Sequence, residues 1–222
     1  MNAELLQISF FTVATALGAT ALMLPPGVAL AWTLARRPFP GRALVETVIT
    51  LPLVVPPVAT GLLLLYLFGR RGPIGSALAS TGVDVIFTWR AVVIAMAIMG
   101  FPLVVRTARA AFEQVDARLE QVAATLGARP PRVFFSISLP LALRGVIAGA
   151  VLGFARALGE FGATIMIAGN IPGRTRTLAT AIYSYTETGR DAQAASLAAV
   201  SIAIAFVAVA LSNRLSRGTA LN

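Results

Sequence analysis

Arg156 and Glu160 stand four residues apart in a stretch, 141–169, that is otherwise apolar except for Arg144. A charge at bilayer depth costs about 2.5–3.5 kcal/mol on insertion scales, so two of them on one helix face need a reason. At this spacing each can partly neutralise the other. One arrangement turns the pair toward the interior of a helix bundle, beside a pathway; the other lets both side chains snorkel near an interface. What the chain lacks narrows the chemistry further. It has no His and no Cys, and all 18 of its basic residues are arginine. His- or Cys-ligated metals, cysteine nucleophiles, Ser-His triads and a Lys Schiff base are therefore excluded. The phosphate-binding pattern G-x-x-x-x-G-K-[ST] needs a lysine, so this chain cannot hold that nucleotide site.

The elements that must position such a pair are membrane helices. Hydrophobic residues make up 57% of the chain and charged ones 12%, with mean hydropathy +0.82. A soluble domain carries about 25% charge. Apolar runs of about 20 residues predict five spans, over residues 6–34, 47–68, 85–105, 141–162 and 192–213. Only Glu4 precedes the first run, unlike the positive segment of a cleavable leader, and it reads as a retained span. As one helix, the stretch 141–169 would be about 43 Å long, beyond a hydrocarbon core of about 30 Å. It must tilt or break, and Gly159, Gly162 and Gly169 are the places. Residues 163–190 leave room for a re-entrant or sixth membrane helix.

Arg36, Arg37, Arg42, Arg106, Arg109, Arg118, Arg129, Arg132, Arg214 and Arg217 fall in connections on one side of these spans. Arg70, Arg71, Arg174, Arg176 and Arg190 fall on the other. The positive-inside rule then puts the N-terminus outside, and the C-terminus and the 106–140 loop in the cytoplasm. It also accounts for the net charge of +9 without nucleic acid. Pro25-Pro26 in the first span and Pro52, Pro56 and Pro57 in the second each remove a backbone donor that lipid cannot replace. The cluster in the second predicts a mobile or cavity-lining helix.

Residues 106–140 are too long and too patterned for a plain connector. Ala108, Ala111, Phe112, Val115, Leu119, Val122 and Leu126 recur at steps of three and four, which predicts one amphipathic helix. Gly127 is a stop signal, and Pro130-Pro131 can open a second short helix through Val133, Phe134 and Phe135. Glu113, Asp116 and Glu120 are interspersed with the arginines, so the surface suits a protein partner better than a lipid headgroup layer.

The run 120–127 (EQVAATLG), followed after nine residues by Ile137-Ser138-Leu139-Pro140, resembles the EAA loop of importer-type ABC permeases. That pattern is E-A-A, three residues, Gly, nine residues, Ile-x-Leu-Pro. Gly127, Ile137, Leu139 and Pro140 fall on it. The first triplet departs, reading Gln121-Val122-Ala123 with the glutamate one residue earlier at Glu120. Residues 51–57 (LPLVVPP), 154–164 (FARALGEFGAT) and 168–175 (AGNIPGRT) resemble the molybdate-type permeases of this class. Sulfate and thiosulfate permeases share much of the 154–175 run. The similarity covers roughly residues 6–213.

The resemblance implies an all-α polytopic membrane protein of five helices, or six, with a cytoplasmic two-helix coupling loop between the third and fourth spans. It implies a single transmembrane permease domain over 1–222 that includes the loop at 106–140. It further implies a homodimeric pore in a bacterial-type cytoplasmic (inner) membrane, joined to cytoplasmic ABC ATPase subunits and fed by an external oxyanion-binding protein. Such a chain is not an enzyme and binds no cofactor; ATP and Mg belong to the ATPase. By the same resemblance Glu120, Ala123, Gly127, Arg132, Phe134, Phe135, Ile137, Leu139 and Pro140 form the coupling loop, with the short helix around 132–136 in a groove of the ATPase. Pro56, Pro57, Arg156, Glu160 and Thr164 are the pathway candidates. Arg174, Thr175 and Arg176 alternate guanidinium and hydroxyl donors, which suits a tetrahedral oxyanion and equally an outer contact with the binding protein. The expected cargo is molybdate, with tungstate, sulfate or thiosulfate as alternatives. Two readings from other classes fare worse. An intramembrane enzyme would need more than the one deep acid, Glu160, and a non-transporting scaffold gives no reason for five prolines in two spans.

Overall fold

A computed structural model describes residues 3–217, so the domain expected over 1–222 and the sidedness of the two chain ends reach beyond the described residues. The described chain is helical throughout and contains no strand. Its helices are α1 (Ala3–Arg36), α2 (Arg42–Val54), α3 (Pro57–Phe68), α4 (Pro73–Ala79), α5 (Trp89–Gln114), α6 (Ala117–Thr125), α7 (Pro130–Val133), α8 (Leu139–Leu158), α9 (Gly162–Ala168), α10 (Leu178–Glu187) and α11 (Asp191–Arg217). A π turn, Phe134–Ser138, joins α7 to α8.

Helix α5 is the axis of the bundle. Val92, Ala95, Met96, Met99 and Val104 along it are buried. Lipid gives no hydrophobic drive for helices to associate, so contact depends on small residues that let backbones approach. Gly145, Gly149 and Gly153 supply them on α8: a Cβ on Gly145 would run into Ala111 of α5, and one on Gly149 or Gly153 would stand 3.2 Å from Thr107 or 2.6 Å from Val104. On the other side Gly27 of α1 rests on Val104 and Phe101. This packing carries α1 through Pro25 and Pro26 as one helix of 34 residues. The end of the bundle that bears residues 106–140 is here called the loop end. There Leu34, Phe112 and Ala142 close a second core; at the far end Ile8, Leu178, Ala181 and Leu197 close a third.

Four helical segments are long and apolar enough to cross a membrane: Ala3–Arg36, Trp89–Gln114, Pro130–Leu158 and Asp191–Leu211. The second expected span, 47–68, is not one helix. It is the pair α2 and α3, which meets the same test only jointly and bends by 113° at the break. Pro57 denies Pro56 the helical conformation, and two adjacent residues lack an N–H; Pro56 sits extended at φ −52°, ψ 131° and Pro57 opens α3. Five spans are reached only when this pair counts as one. A sixth is absent among the described residues, because α9 has 7 residues and α10 has 10, about 11 and 15 Å of helix. The stretch 141–169 does break where expected: α8 ends before Gly159, Gly162 opens α9, and Gly169 closes it at φ 69°.

The loop differs from expectation in two ways. The predicted amphipathic helix is cut at Val115, because the Asp116 carboxylate accepts a hydrogen bond from the Arg118 backbone N–H at 2.9 Å and starts a new helix, α6. Its stripe therefore has two destinations: Ala108, Phe112 and Val115 are buried in the bundle, whereas Leu119, Val122 and Leu126 are exposed. The expected second short helix is not separate either. It runs on through the π turn into α8, so the free-standing helix of the loop is α6 alone.

Candidate functional site

At the loop end the chain makes an interlocked base with an exposed rim. Helix α6 ends in a Schellman turn: the Ala128 N–H donates to the Ala123 carbonyl and the Gly127 N–H to the Ala124 carbonyl, both at 3.0 Å. Gly127 takes φ +84°, and a Cβ there would meet nothing within 4 Å, so glycine is required by conformation and not by space. Phe134 is held edge-on against Trp32 of α1, centroids 5.2 Å apart, and lies near Phe112 of α5. Leu139 packs into the same core. Arg132, Phe135 and Pro140 face outward, Ala123 and Ile137 are half-buried, and Leu126 is 83% exposed at the tip. Leu119, Val122 and Leu126 of α6 and Phe135 of the π turn are thus the exposed apolar rim of the loop end.

Glu120 does not belong to that rim. Its Oε1 accepts hydrogen bonds from Arg36 Nε at 2.9 Å and Ser138 Oγ at 2.7 Å. Sequence reasoning counted Arg36 only as a topological charge and passed over Ser138. No local spacing joins residues 84 and 18 positions apart, so only the folded arrangement reveals them.

The Arg156–Glu160 pair forms as its spacing predicts. Arg156 Nη1 donates to Glu160 Oε2 at 2.8 Å, and Glu160 Oε1 accepts from the Ala163 N–H at 2.8 Å, in the first turn of α9. The carboxylate is enclosed, its side chain 1% exposed, while that of Arg156 is 27% exposed. The pair lies beside the α2–α3 break: a Cβ on Gly162 would stand 2.7 Å from Pro57 and one on Gly61 would stand 2.8 Å from the Ala163 backbone. Pro57, Glu160 and Thr164 are therefore brought to one place, with Pro56 next to them in the chain. The Thr164 hydroxyl and that of Thr60 across from it on α3 are buried and find no hydrogen-bond partner among the described residues.

The three far-end candidates part company. Thr175 is buried, its Oγ1 accepting from the Ile171 N–H at 3.0 Å. Arg176 lies over the Tyr185 ring and donates from Nε to Asn170 Oδ1 at 3.0 Å, with Glu4 3.5 Å from its Nη1. Tyr185 in turn donates to Glu4 at 2.6 Å, and burial, then Glu4, raises its phenol above the ordinary value. Arg174 is exposed and borders a cavity of about 490 Å³ with Arg70 and Asp84. Arg70 binds Asp84 through both carboxylate oxygens and holds that carboxyl below the usual range.

Residues 27–220 match the model of the family described as "Binding-protein-dependent transport system inner membrane component". The chain is 53% identical over 196 residues to the molybdenum transport system permease protein ModB of Escherichia coli K12, covering 87% of this chain and 86% of that one. It is 45% identical over 216 residues to the ModB of Haemophilus influenzae, covering 96% and 94%. A sulfate transport system permease protein, CysW of Synechococcus elongatus, is 39% identical over 152 residues, covering 68% of this chain and 53% of its own length. Among solved structures, a bacterial alginate ABC transporter in complex with a pentasaccharide-bound periplasmic protein superimposes with TM-score 0.68 at 16% identity, over 100% of this chain and 81% of that one. That likeness concerns the fold.

Proposed function

The chain belongs to the binding-protein-dependent transport system inner membrane components, and from that premise we propose that it is the permease subunit of an ATP-driven molybdate importer. It is a multi-pass inner-membrane protein and a non-catalytic part of its transporter. The observation that carries the substrate is the 53% identity to a molybdenum permease across 87% of the chain. The sulfate permease relative is less similar and matches over 68%, so sulfate ranks second.

In this reading the loop end faces the cytoplasm, with the N-terminus outside and the C-terminus inside, as the arginine distribution favours. The apolar rim of α6 and Phe135 receives the ATPase, which holds the ATP and Mg; this chain binds neither. Two copies of the chain enclose the pathway. Arg156, steadied by Glu160, presents its guanidinium to the passing dianion near Pro56, Pro57 and Thr164, and a single bonded arginine suits brief contact, since a pathway must release its passenger. Arg174 meets the anion or the binding protein outside. High-affinity selection then lies with the binding protein.

The test uses cells in which this chain is the sole permease of its class, expressed with its own ATPase and binding protein. Uptake of labelled molybdate should be suppressed by unlabelled molybdate or tungstate and remain when sulfate is added in large excess. Uptake that sulfate competes away equally would make this a sulfate permease.

A further inference from the structure

Helix α6 is attached to the bundle through a non-helical residue at each end. At one, Val115 is extended between α5 and α6; at the other, Gly127 turns at φ +84° with open space around it. None of its nine residues is fully buried. A short helix on two such joints would pivot on its own, and a push on its outer face would be absorbed there.

We propose that Glu120 prevents this, as a positioning residue that clasps α6 to two membrane helices at once. Its side chain is 15% exposed, although it lies on a helix with no buried residue. One carboxylate oxygen accepts from Arg36, the last residue of α1, and from Ser138, which is wholly buried in the π turn that leads into α8. Arg36 also donates from Nη2 to the Val115 carbonyl at 2.7 Å, which fixes the first joint. The clasp therefore gathers α1, the α5–α6 joint and the root of α8 around one charge-assisted cluster. π turns interrupt a helix where function needs an irregularity, and this one brings the Ser138 hydroxyl to the carboxylate. Displacement of α6 is delivered to α1 and α8 together. Glu120 thus acts inside the subunit and is not a contact for the ATPase.

The proposal rests on reading the loop end as the ATPase-facing surface, and its test separates the two ideas. In the full chain in lipid, Glu120→Gln should speed backbone hydrogen exchange across residues 117–125 relative to the rest of the loop end; unchanged exchange would overturn the clasp. In proteoliposomes with the ATPase and binding protein, the same variant should retain bound ATPase and hydrolysis. Its molybdate uptake per ATP should fall about 2- to 30-fold, the range for changes along a coupling network. Ser138→Ala removes one hydroxyl and should show the same split more weakly, and the double variant should be no worse than Glu120→Gln alone. Loss of bound ATPase, additive losses, or full coupling in both single variants would overturn the proposal. A wild-type transporter without molybdate uptake, alongside faster exchange in the variant, would support the clasp and count against the function.

Discussion

Glu160 is the most enclosed charge among the described residues, at 1% exposure, and its partner Arg156 is three-quarters covered. Removing one member of a buried pair strands the other, at about 3–5 kcal/mol. Because Arg156 keeps some access to its surroundings, Glu160→Gln should fall toward the lower part of that range. The amide also preserves shape while losing the charge that Arg156 and the Ala163 N–H both use. We expect reduced yield of folded protein or at least tenfold weaker uptake, read by quantifying membrane-inserted protein and normalising transport to it. Normal yield with normal uptake would make the pair an edge feature. This pair was legible in the sequence, because four-residue spacing inside an apolar run leaves few places for two charges. At the far end the alternation of Arg and Thr was legible as a row of donors, but the partners they find within the chain were not. Thr175 and Arg176 are consumed by Ile171, Asn170 and Tyr185, and that is decided by a turn whose closure no periodicity announces.

Among the elements, proline and glycine carry most of what could be read in advance. Pro56-Pro57 marked a disturbed second span, but neither the 113° bend there nor the close approach of α9 to the break could be read from them. Pro25-Pro26 carry the same signal and leave α1 unbroken, since α5 packs along it. Periodicity found the loop's stripe but not its division, which turns on one Asp116 cap. Gly127 lends itself to a clean test at this scale. Its positive φ would cost a β-branched residue roughly 1–2 kcal/mol, while the empty space around it means no clash with the bundle. Gly127→Val should therefore insert and fold with a nearly unchanged melting profile in detergent, but turn the rim of α6 and lower ATP-driven uptake several-fold. Unimpaired uptake would remove α6 from the coupling path.

For the molecule as a whole, 57% hydrophobic residues placed the chain in lipid, and the absence of lysine, histidine and cysteine removed Schiff-base, thiol and His/Cys-metal chemistry, before any element was located. Family membership then agrees with the resemblance carried by the 120–140 and 154–175 segments. What composition could not convey is the arrangement itself: α1, α5 and α8 packed together with α6 clasped to them, and the α2–α3 arm joined to α5 at the loop end through Ile49 and the Glu46–Arg109 ion pair. Such an arrangement can transmit force from one end to a charged pair within the bundle. Uptake into sealed proteoliposomes measures this most directly, with the purified chain, its ATPase and ATP inside and the binding protein loaded with molybdate outside. Molybdate should accumulate above its external free concentration only when ATP, ATPase and binding protein are all present, and the chain alone should hydrolyse no ATP. Accumulation without ATP, or none with every component present and ATP being hydrolysed, would contradict the account.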